Sequence, residues 1–260
     1  MLIKYYVVDA FADIPFHGNP AGVCLLDEWI EDAAMQKIAF ENNLAETAFL
    51  LKHDGYYDLR WFTPKVEIDL CGHATLGSAF TLMNYVDRSL KRVDFHTKSG
   101  LLSVTRTGDT YMMDFPSRKA MPCAKPTVLE EALGVNVKAT FQSRDLLVLL
   151  ESEPQVANLR PDLSLLAKIK NSFAIIVTAK SCSCDFVSRF FAPNAGINED
   201  PVTGSSHCTL IPFWSERLHK KDMIARQLSA RGGTLICRDR GERVSIGGTA
   251  VCYLTGNINI

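Results

Sequence analysis

Three side chains in the sequence combine proton-transfer chemistry with an unusual local setting. Glu46 follows the pair Asn42-Asn43, where a helical pattern ends and an apolar strand-like run begins. His73 and Asp200 each lie in a glycine-bearing turn that precedes a helical pattern. Carboxylates are rare in buried strands, and Glu, Asp and His are the side chains that most often carry protons in catalysis. Simpler roles stay open: Glu46 could reach solvent, His73 could cap its helix, and Asp200 could be a turn residue.

Two glycine-bearing turns, one in each half of the chain, open directly into amphipathic helical patterns. The first is Cys71-Gly72-His73-Ala74-Thr75, and the second spans residues 200–206. A helix N-terminus binds anions through its unpaired N–H groups and the positive end of its macrodipole. If the two halves face one another, both helix starts would suit a small carboxylate, although the glycines could equally serve only as caps. Pro212 predicts a kink in the second helix, or a start later than Gly204.

The sequence motifs do not indicate a metal ion or an organic cofactor. Cys71-x-His73, Cys182-x-Cys184 and His207-Cys208 offer metal-binding atoms, but none has the spacing of a zinc knuckle or an H-E-x-x-H helix. The chain contains no phosphate-binding loop, no dinucleotide fingerprint and no G-x-S-x-G nucleophile elbow. We therefore expect no metal and no cofactor.

Eight blocks of sequence carry a family resemblance. They are Asp9-Ala10-Phe11, residues 15–21, 43–49, 60–64, 69–75, 189–193 and 199–208, and Arg231-Gly232-Gly233. In order and approximate spacing these blocks closely resemble the PhzF-like phenazine-biosynthesis isomerase family, within the diaminopimelate epimerase-like superfamily. The resemblance runs from residue 9 to about residue 250. One departure is Ala45, where the family more often has serine before the glutamate.

The resemblance implies an α+β fold of two pseudo-symmetric domains. Each is expected to be a curled mixed or antiparallel sheet around a central helix, with the active site between the domains. A proline-spaced stretch at 116–126 reads as an exposed connector, and the expected domains are residues 1–117 and 118–260, with the C-terminal strand able to pack back on the first. Strand-like runs support this class; they span residues 5–10, 47–52, 57–62, 101–106, 111–115, 146–150, 173–178, 186–192, 234–238 and 244–247.

The resemblance also assigns roles to individual positions. The family's catalytic residues fall on Glu46, His73 and Asp200, and its glycine and serine fall on Gly72 and Ser205. The N–H group of Gly204 at the second helix start is added as an anion contact, so the expected substrate-binding residues are Gly72, Gly204 and Ser205. We expect Glu46 to act as general acid and base in the cleft between the domains, removing a proton from one carbon of a small unsaturated carboxylic acid and returning it to another. This is a cofactor-independent isomerisation.

Two alternative functions remain. Amino-acid epimerases and racemases of this superfamily use two cysteines, one on each face of a carbon acid. Cys71 resembles the first, whereas alignment of Thr203-Gly204 places Pro201 at the second position, so one base is missing. A non-catalytic small-molecule binding protein of the same fold is the other alternative.

The composition of the chain argues against nucleic acid and membranes as partners. The 260 residues include 28 basic and 29 acidic side chains, so no basic surface is expected for nucleic acid or for an anionic membrane. No apolar run is long enough to span a membrane, and the N-terminal residues read as a strand instead of a signal peptide. Eight cysteines without regular spacing favour reduced thiols and a cytoplasmic location. The family resemblance adds a homodimer to these expectations.

Overall fold

The computed structural model describes residues 1–260 and divides the chain into two compact units. The first unit contains residues 1–114 and 247–260, and the second contains residues 115–246. The division therefore falls after residue 114, where the sequence places it after residue 117, and the C-terminal segment lies with the first unit. None of the helices is long and apolar enough to cross a membrane.

The first unit is a mixed β-sheet on which a buried helix packs. Its strands are β1 (Leu2–Ala10), β2 (Asn19–Leu26), β3 (Glu46–Lys52), β4 (Tyr57–Phe62), β5 (Glu67–Ile68), β6 (Arg92–Thr97), β7 (Gly100–Thr107), β8 (Thr110–Pro116) and the C-terminal β17 (Ala250–Asn259). Its helices are α1 (Asp32–Asn42) and α2 (Gly72–Thr81), and a π-helical turn (Leu82–Val86) follows α2. Helix α2 packs against β1, β2 and β3, and nearly all of its residues are buried.

The second unit is built in the same way. Its strands are β9 (Met121–Pro122), β10 (Ala139–Gln142), β11 (Leu146–Leu149), β12 (Ile175–Lys180), β13 (Phe186–Phe191), β14 (Asp222–Gln227), β15 (Gly233–Asp239) and β16 (Arg243–Gly248). Its helices are α3 (Leu129–Leu133), α4 (Glu153–Ala157), α5 (Leu163–Leu166) and α6 (Gly204–Leu218), with a 3₁₀ turn at Pro193–Ala195. The long helix α6 packs against β14 and β15.

The two units repeat one order of strand pairing. In the first unit the successive pairs β1–β2, β2–β3, β3–β4, β4–β6 and β6–β7 are antiparallel, parallel, antiparallel, parallel and antiparallel. The pairs β10–β11, β11–β12, β12–β13, β13–β14 and β14–β15 follow the same order. Helix α2 precedes β6 as α6 precedes β14. The α+β class and the internal repeat expected from the family resemblance are therefore confirmed.

A partly buried ion pair occurs at the same place in both repeats. The Nε and Nη2 atoms of Arg60 donate to the two carboxylate oxygens of Glu67 at 2.7 and 2.9 Å. Arg189 and Glu199 form the same bidentate pair at the same two distances. Arg60 lies on β4 and Arg189 on β13, and each glutamate lies between that strand and the central helix of its unit, Glu67 at the start of the short strand β5. The pair ties the strand to the segment that leads into the helix.

Pro212 lies inside α6 without delaying the start of the helix. The helix is continuous over Gly204–Leu218, so the expectation that it begins later than Gly204 is wrong. A proline has no N–H for the carbonyl four residues earlier, which here belongs to Cys208. The backbone N–H of Arg118 donates to that carbonyl at 2.8 Å. The hydrogen bond that the proline removes is thereby replaced from another segment.

Candidate active site

The local chain path buries Glu46 at the first position of a central strand. Helix α1 ends at Asn42, and Asn43 adopts a left-handed conformation with φ of 48° while its N–H caps the helix at the carbonyl of Ala39. Asparagine tolerates this conformation better than most residues. The chain then enters β3, where Glu46 lies opposite Ala21 of β2 in the parallel ladder. Glu46 is only 9% exposed, so its carboxylate is held within the sheet and not at a solvated strand end.

His73 is the second residue of α2 and contacts Glu46 directly. Cys71 precedes the helix as its N-cap, and its carbonyl accepts a hydrogen bond from the Thr75 hydroxyl at 2.5 Å. The Nε2 atom of His73 lies 3.0 Å from Oε2 of Glu46, and both side chains are buried. The distance is that of an ion pair, although the carboxylate oxygen is off the axis of the ring N–H. The structure therefore brings the two residues together as one acid–base pair.

The other edge of the imidazole faces an amide and a thiol. Nδ1 of His73 lies 3.2 Å from Nδ2 of Asn19 and 3.5 Å from the sulfur of Cys71. Asn19 is fully buried and begins β2, directly after Gly18. Gly18 has φ of 67°, and a Cβ atom there would lie 2.1 Å from the carbonyl oxygen of Ala10. Only glycine fits this turn, which places Asn19 against the histidine.

The pKa values of this cluster follow from burial and from its one carboxylate. Burial raises the pKa of Cys71 to about 11, so the side chain is a neutral thiol near pH 7. Burial would lower the pKa of His73, but the neighbouring Cys71 and Glu46 raise it well above its ordinary value. Because Cys71 is uncharged near pH 7, Glu46 is the group that stabilises a protonated His73 there.

Glu46, Cys71 and His73 also form a group whose ligand atoms all lie within 4.8 Å of one another. Their arrangement is unsuited to one metal ion, because the carboxylate faces Nε2 of the imidazole and the thiol faces Nδ1. An ion bound to Nε2 would be out of reach of the thiol, and an ion bound to Nδ1 would be out of reach of the carboxylate. The geometry favours sharing of protons over ligation of a metal.

In the second unit, Asp200 is held by a network that the sequence did not predict. The hydroxyl of Thr203 donates to Oδ2 of Asp200 at 2.5 Å. The side-chain amide of Gln227 donates to the backbone carbonyl of Asp200 at 2.7 Å and accepts from the N–H of Thr203 at 2.9 Å. Gln227 is buried at the end of β14 and lies too far along the sequence to be linked to Asp200 by any local pattern.

A guanidinium group lies beside the start of α6. Nη2 of Arg144 is 3.2 Å from the hydroxyl of Ser205, and the same side chain makes a bidentate pair with the fully buried Asp145. Gly204 and Ser205 are the first two residues of the helix, whose end carries unpaired N–H groups. Ser205 lies 61 residues further along the chain than Arg144, so no local pattern could have identified this contact from sequence.

The six predicted site residues thus fall into two groups. The first unit brings together Glu46, Gly72 and His73, and the second brings together Asp200, Gly204 and Ser205. The residues that contact them, and to which the sequence assigned no role, are Asn19, Arg144, Thr203 and Gln227.

The two helix starts differ in the residue that occupies the cap. Cys71 caps α2 immediately before Gly72, and Thr203 caps α6 immediately before Gly204. Thr203 therefore occupies the cap position of α6 that Cys71 occupies in α2. Pro201, which the alignment of Thr203-Gly204 places where epimerases and racemases of the superfamily have their second cysteine, lies two residues before that cap. A threonine hydroxyl is far less acidic than a thiol, so the thiol of the first unit has no equivalent in the second.

A second buried histidine makes stability sensitive to acid. His207 is fully buried in α6, and burial lowers its pKa to about 4. An unfolded chain protonates histidine near pH 6.5. Between about pH 6.5 and pH 4 the unfolded state therefore binds a proton that the folded state does not, so stability falls as the pH falls through this interval.

We expect the His207 contribution to amount to about 3 kcal/mol of unfolding free energy across that interval. Urea unfolding of the native protein and of His207→Phe, at a series of pH values from 7.5 to 4, measures it. Altered packing should change the unfolding free energy of the variant by the same amount at every pH. The part of the acid dependence that comes from His207 should be absent. Parallel curves for the two proteins would contradict the assignment to His207.

Comparison with known proteins places these features in a family context. A sequence model of the family described as phenazine biosynthesis-like protein matches residues 8–256. An uncharacterized isomerase of Pseudomonas aeruginosa is 50% identical over 260 residues, with all of both chains covered. The crystal structure of a PhzF-family phenazine biosynthesis protein from Enterococcus faecalis is 46% identical, with a TM-score of 0.98 and complete coverage of both chains.

The fold extends to proteins of much lower identity. A hydroxyproline epimerase from Agrobacterium vitis, solved with bound trans-4-hydroxy-L-proline, has a TM-score of 0.67 at 10% identity. The match covers 99% of this chain and 91% of the epimerase. At this identity the likeness is one of fold alone.

Proposed function

The chain belongs to the phenazine biosynthesis-like PhzC-PhzF family and is an enzyme of the isomerase class, and from this premise we propose that it moves a proton between two carbons of a small unsaturated carboxylic acid. Glu46 is the general acid and base, and no cofactor takes part. The observation that carries the proposal is the buried contact of 3.0 Å between the Glu46 carboxylate and Nε2 of His73.

The reaction requires one base that takes a proton and gives it back. Glu46 removes a proton from the carbon between the double bond and the carboxylate, and the electron pair left behind is delocalised over both. The same carboxyl group then returns the proton to a second carbon, so that the double bond has shifted and no atom is lost. His73 holds the Glu46 carboxylate through Nε2 during both steps.

The negative charge that develops on the substrate needs positive partners. The first N–H groups of α2, beginning at Gly72, lie immediately beside His73 and point out of the helix start. Such a helix end stabilises a carboxylate and a developing enolate-like charge without moving. This supports Gly72 as a substrate contact.

A two-thiol racemase is less well supported by the same residues. The pKa of Cys71 is raised to about 11, which leaves almost no thiolate near pH 7. The equivalent cap of the second unit is Thr203, which is not a proton acceptor of comparable strength. A binding protein without turnover would gain nothing from a buried carboxylate and imidazole, because desolvation of such a pair offsets most of its attraction.

The remaining assignments stay predictions. Asp200 as a catalytic group, and Gly204 and Ser205 as substrate contacts, are supported by the ordered network around Asp200 and by the guanidinium of Arg144 beside Ser205. The homodimer and the cytoplasmic location are likewise proposals. Sedimentation of the protein at micromolar concentration tests the first, and a monomer there would contradict it.

Isotope transfer in D₂O tests the proposed reaction. The protein is incubated with a panel of β,γ-unsaturated carboxylic acids and, as the epimerase alternative, α-amino acids, and ¹H NMR follows each carbon. We expect one or more unsaturated acids to isomerise, with deuterium only at the acceptor carbon. Incorporation should be incomplete wherever proton transfer is faster than exchange of Glu46 with solvent.

The other outcomes each contradict a stated part of the proposal. Deuterium at a single inverted carbon of an amino acid, with no shift of a double bond, would replace the isomerase by an epimerase. Deuterium at several positions of an unsaturated acid would contradict a single positioned base. The Glu46→Gln protein is the matched control for background exchange.

A further inference from the structure

The Asn19 amide is fully buried against His73, on the edge of the ring opposite Glu46. Its Nδ2 atom lies 3.2 Å from Nδ1 of His73, whereas Nε2 of the same ring lies 3.0 Å from the Glu46 carboxylate. The two nitrogens of the imidazole therefore have different partners. Which nitrogen carries the proton in the neutral ring is decided by what each partner can donate or accept.

The two partners of Nδ1 both carry hydrogens that they can donate to it. The NH₂ group of Asn19 can only donate, and the Cys71 side chain, whose pKa is about 11, is an S–H group 3.5 Å from the same nitrogen. Because the amide hydrogens of Asn19 face Nδ1, and the thiol can donate to the same nitrogen, both contacts are satisfied when Nδ1 accepts, which makes Nδ1 the unprotonated nitrogen of the neutral ring. The ring proton is then on Nε2, which lies 3.0 Å from Oε2 of Glu46, with the carboxylate oxygen off the axis of that N–H.

We propose that Asn19 is a positioning residue that selects the Nε2–H tautomer of His73, so that the neutral imidazole carries its proton on the edge of the ring beside Glu46. The consequence for catalysis rests on the proposed function, because the proton on Nε2 lies on the edge of the ring where Glu46 is proposed to act. The tautomer itself is a property of the protein without substrate.

The same contact determines how His73 takes up its second proton. That proton adds to Nδ1, after which Asn19 must turn its amide so that Oδ1 accepts from the new N–H group. The groups with charge or titratable protons that face His73 are Glu46 from β3 and Cys71 from the start of its own helix, and β2 contributes the uncharged Asn19. Nδ1 is therefore the nitrogen that titrates.

His207 provides an internal reference with the opposite tautomer. Its Nδ1 atom lies 2.8 Å from the backbone carbonyl of Thr203, which can only accept, so the proton of the neutral ring is on Nδ1. Two buried histidines at equivalent ends of the two central helices are thus expected to differ in tautomer. The chain has six histidines, few enough for each ring to be assigned.

Two-bond ¹H–¹⁵N correlation spectra of the full chain, labelled with ¹⁵N in histidine, test the proposal between pH 5 and 10. The signals are assigned by their loss in His73→Gln and His207→Gln. An unprotonated ring nitrogen resonates far downfield of a protonated one. We expect Nδ1 of His73 to move downfield at the alkaline end of the titration while Nε2 changes little, and we expect the reverse tautomer for His207 at neutral pH.

Asn19→Asp separates selection of the tautomer from simple filling of space. A carboxylate at this position accepts and cannot donate, so it should keep Nδ1 protonated and raise the midpoint of the His73 titration by about one to three pH units. Asn84→Asp is the matched control, because Asn84 donates to the hydroxyl of Tyr111 in the same unit and has no contact with His73. It should leave the His73 signals at their native positions.

Two results would overturn the proposal. One is a native spectrum in which Nε2 of the neutral His73 is the unprotonated nitrogen. The other is an Asn19→Asp protein that folds with an unchanged His73 titration. If that variant does not fold, the native spectrum alone decides. Because no substrate is used, failure of the proposed isomerisation leaves this result unaffected, and an active isomerase with the other tautomer would reject only the role of Asn19.

Discussion

Glu46→Gln should leave a folded protein whose turnover is lower by at least about 10². The amide has nearly the volume of the carboxyl group and can still contact Nε2 of His73, so the packing around position 46 is kept. What the amide lacks is the ability to take a proton from carbon and to return it. The measurement is the isomerisation rate of any acid that the native enzyme converts, together with the unfolding free energy of both proteins.

Cys71→Ala is the control in the same cluster. The thiol fills space beside His73 and has a pKa too high for it to serve as a base, so its loss should cost about 1 kcal/mol of packing and far less activity than the change at Glu46. A Glu46→Gln protein with near-native turnover would end the assignment of Glu46. A loss in Cys71→Ala as large as that expected for Glu46→Gln would instead support thiol chemistry.

Glu199→Gln should destabilise the protein by about 3 kcal/mol. Arg189 is almost fully buried, and besides Glu199 its guanidinium has only the backbone carbonyls of Val156 and Leu159 as hydrogen-bond partners. Removal of the carboxylate leaves a buried positive charge without a counterion, which costs more than the loss of an ordinary hydrogen bond. Denaturant unfolding at neutral pH measures the change.

Glu67→Gln is the matched variant in the other repeat. Arg60 is about one-fifth exposed and also donates to Asp32, so it keeps a carboxylate partner and some contact with solvent when Glu67 is changed. We expect a loss of about 1 kcal/mol there. Equal losses at the two positions would show that burial does not set the difference between the two ion pairs.

Much of the fold could be predicted because local patterns and long-range packing agree. The end of α1 at Asn42 and the start of β3 at Glu46 follow from the asparagine pair and the apolar run after it. Helix α2 begins at Gly72 and α6 at Gly204, in the two glycine-bearing turns that the sequence indicated, and Pro212 does not delay the second start. In these segments the residue types favour the same structure that the core requires.

Several strands could not be recognised from sequence because their residue types do not favour a strand. They form strands because of the neighbouring strands with which they pair. Strand β2 begins Asn19-Pro20-Ala21-Gly22, which reads as a turn, yet it is buried between β1 and β3 in the sheet. Strand β17 is mostly exposed and shows no alternation of apolar and polar residues. Both strands depend on pairing with β1, a contact that spans most of the chain length in the case of β17.

The same limit applies to the candidate site. Glu46 and His73 could be identified because a carboxylate before an apolar strand and a histidine at a helix start are unusual in themselves. Asn19 and Gln227 could not, since each acts through a partner that is distant in sequence, at separations of 54 and 27 residues. Their amide side chains carry no signal of a role until the strands that hold them are placed in the sheet.

Pro212 has a consequence for where the chain tolerates cutting or lengthening. By composition, the stretch after β8 is the natural place to insert residues, to nick the chain or to create new termini. Two backbone N–H groups of this stretch already form hydrogen bonds. The N–H of Ser117 donates to the carbonyl of Glu242, and the N–H of Arg118 donates to the carbonyl of Cys208, for which Pro212 has no N–H. An added residue at 117 or 118 would leave the Cys208 carbonyl without a donor in the middle of α6. Permuted or spliced versions of this protein should therefore be opened elsewhere, at exposed hairpin turns such as Gly108 or Gly241, where an added Cβ meets no neighbouring atom.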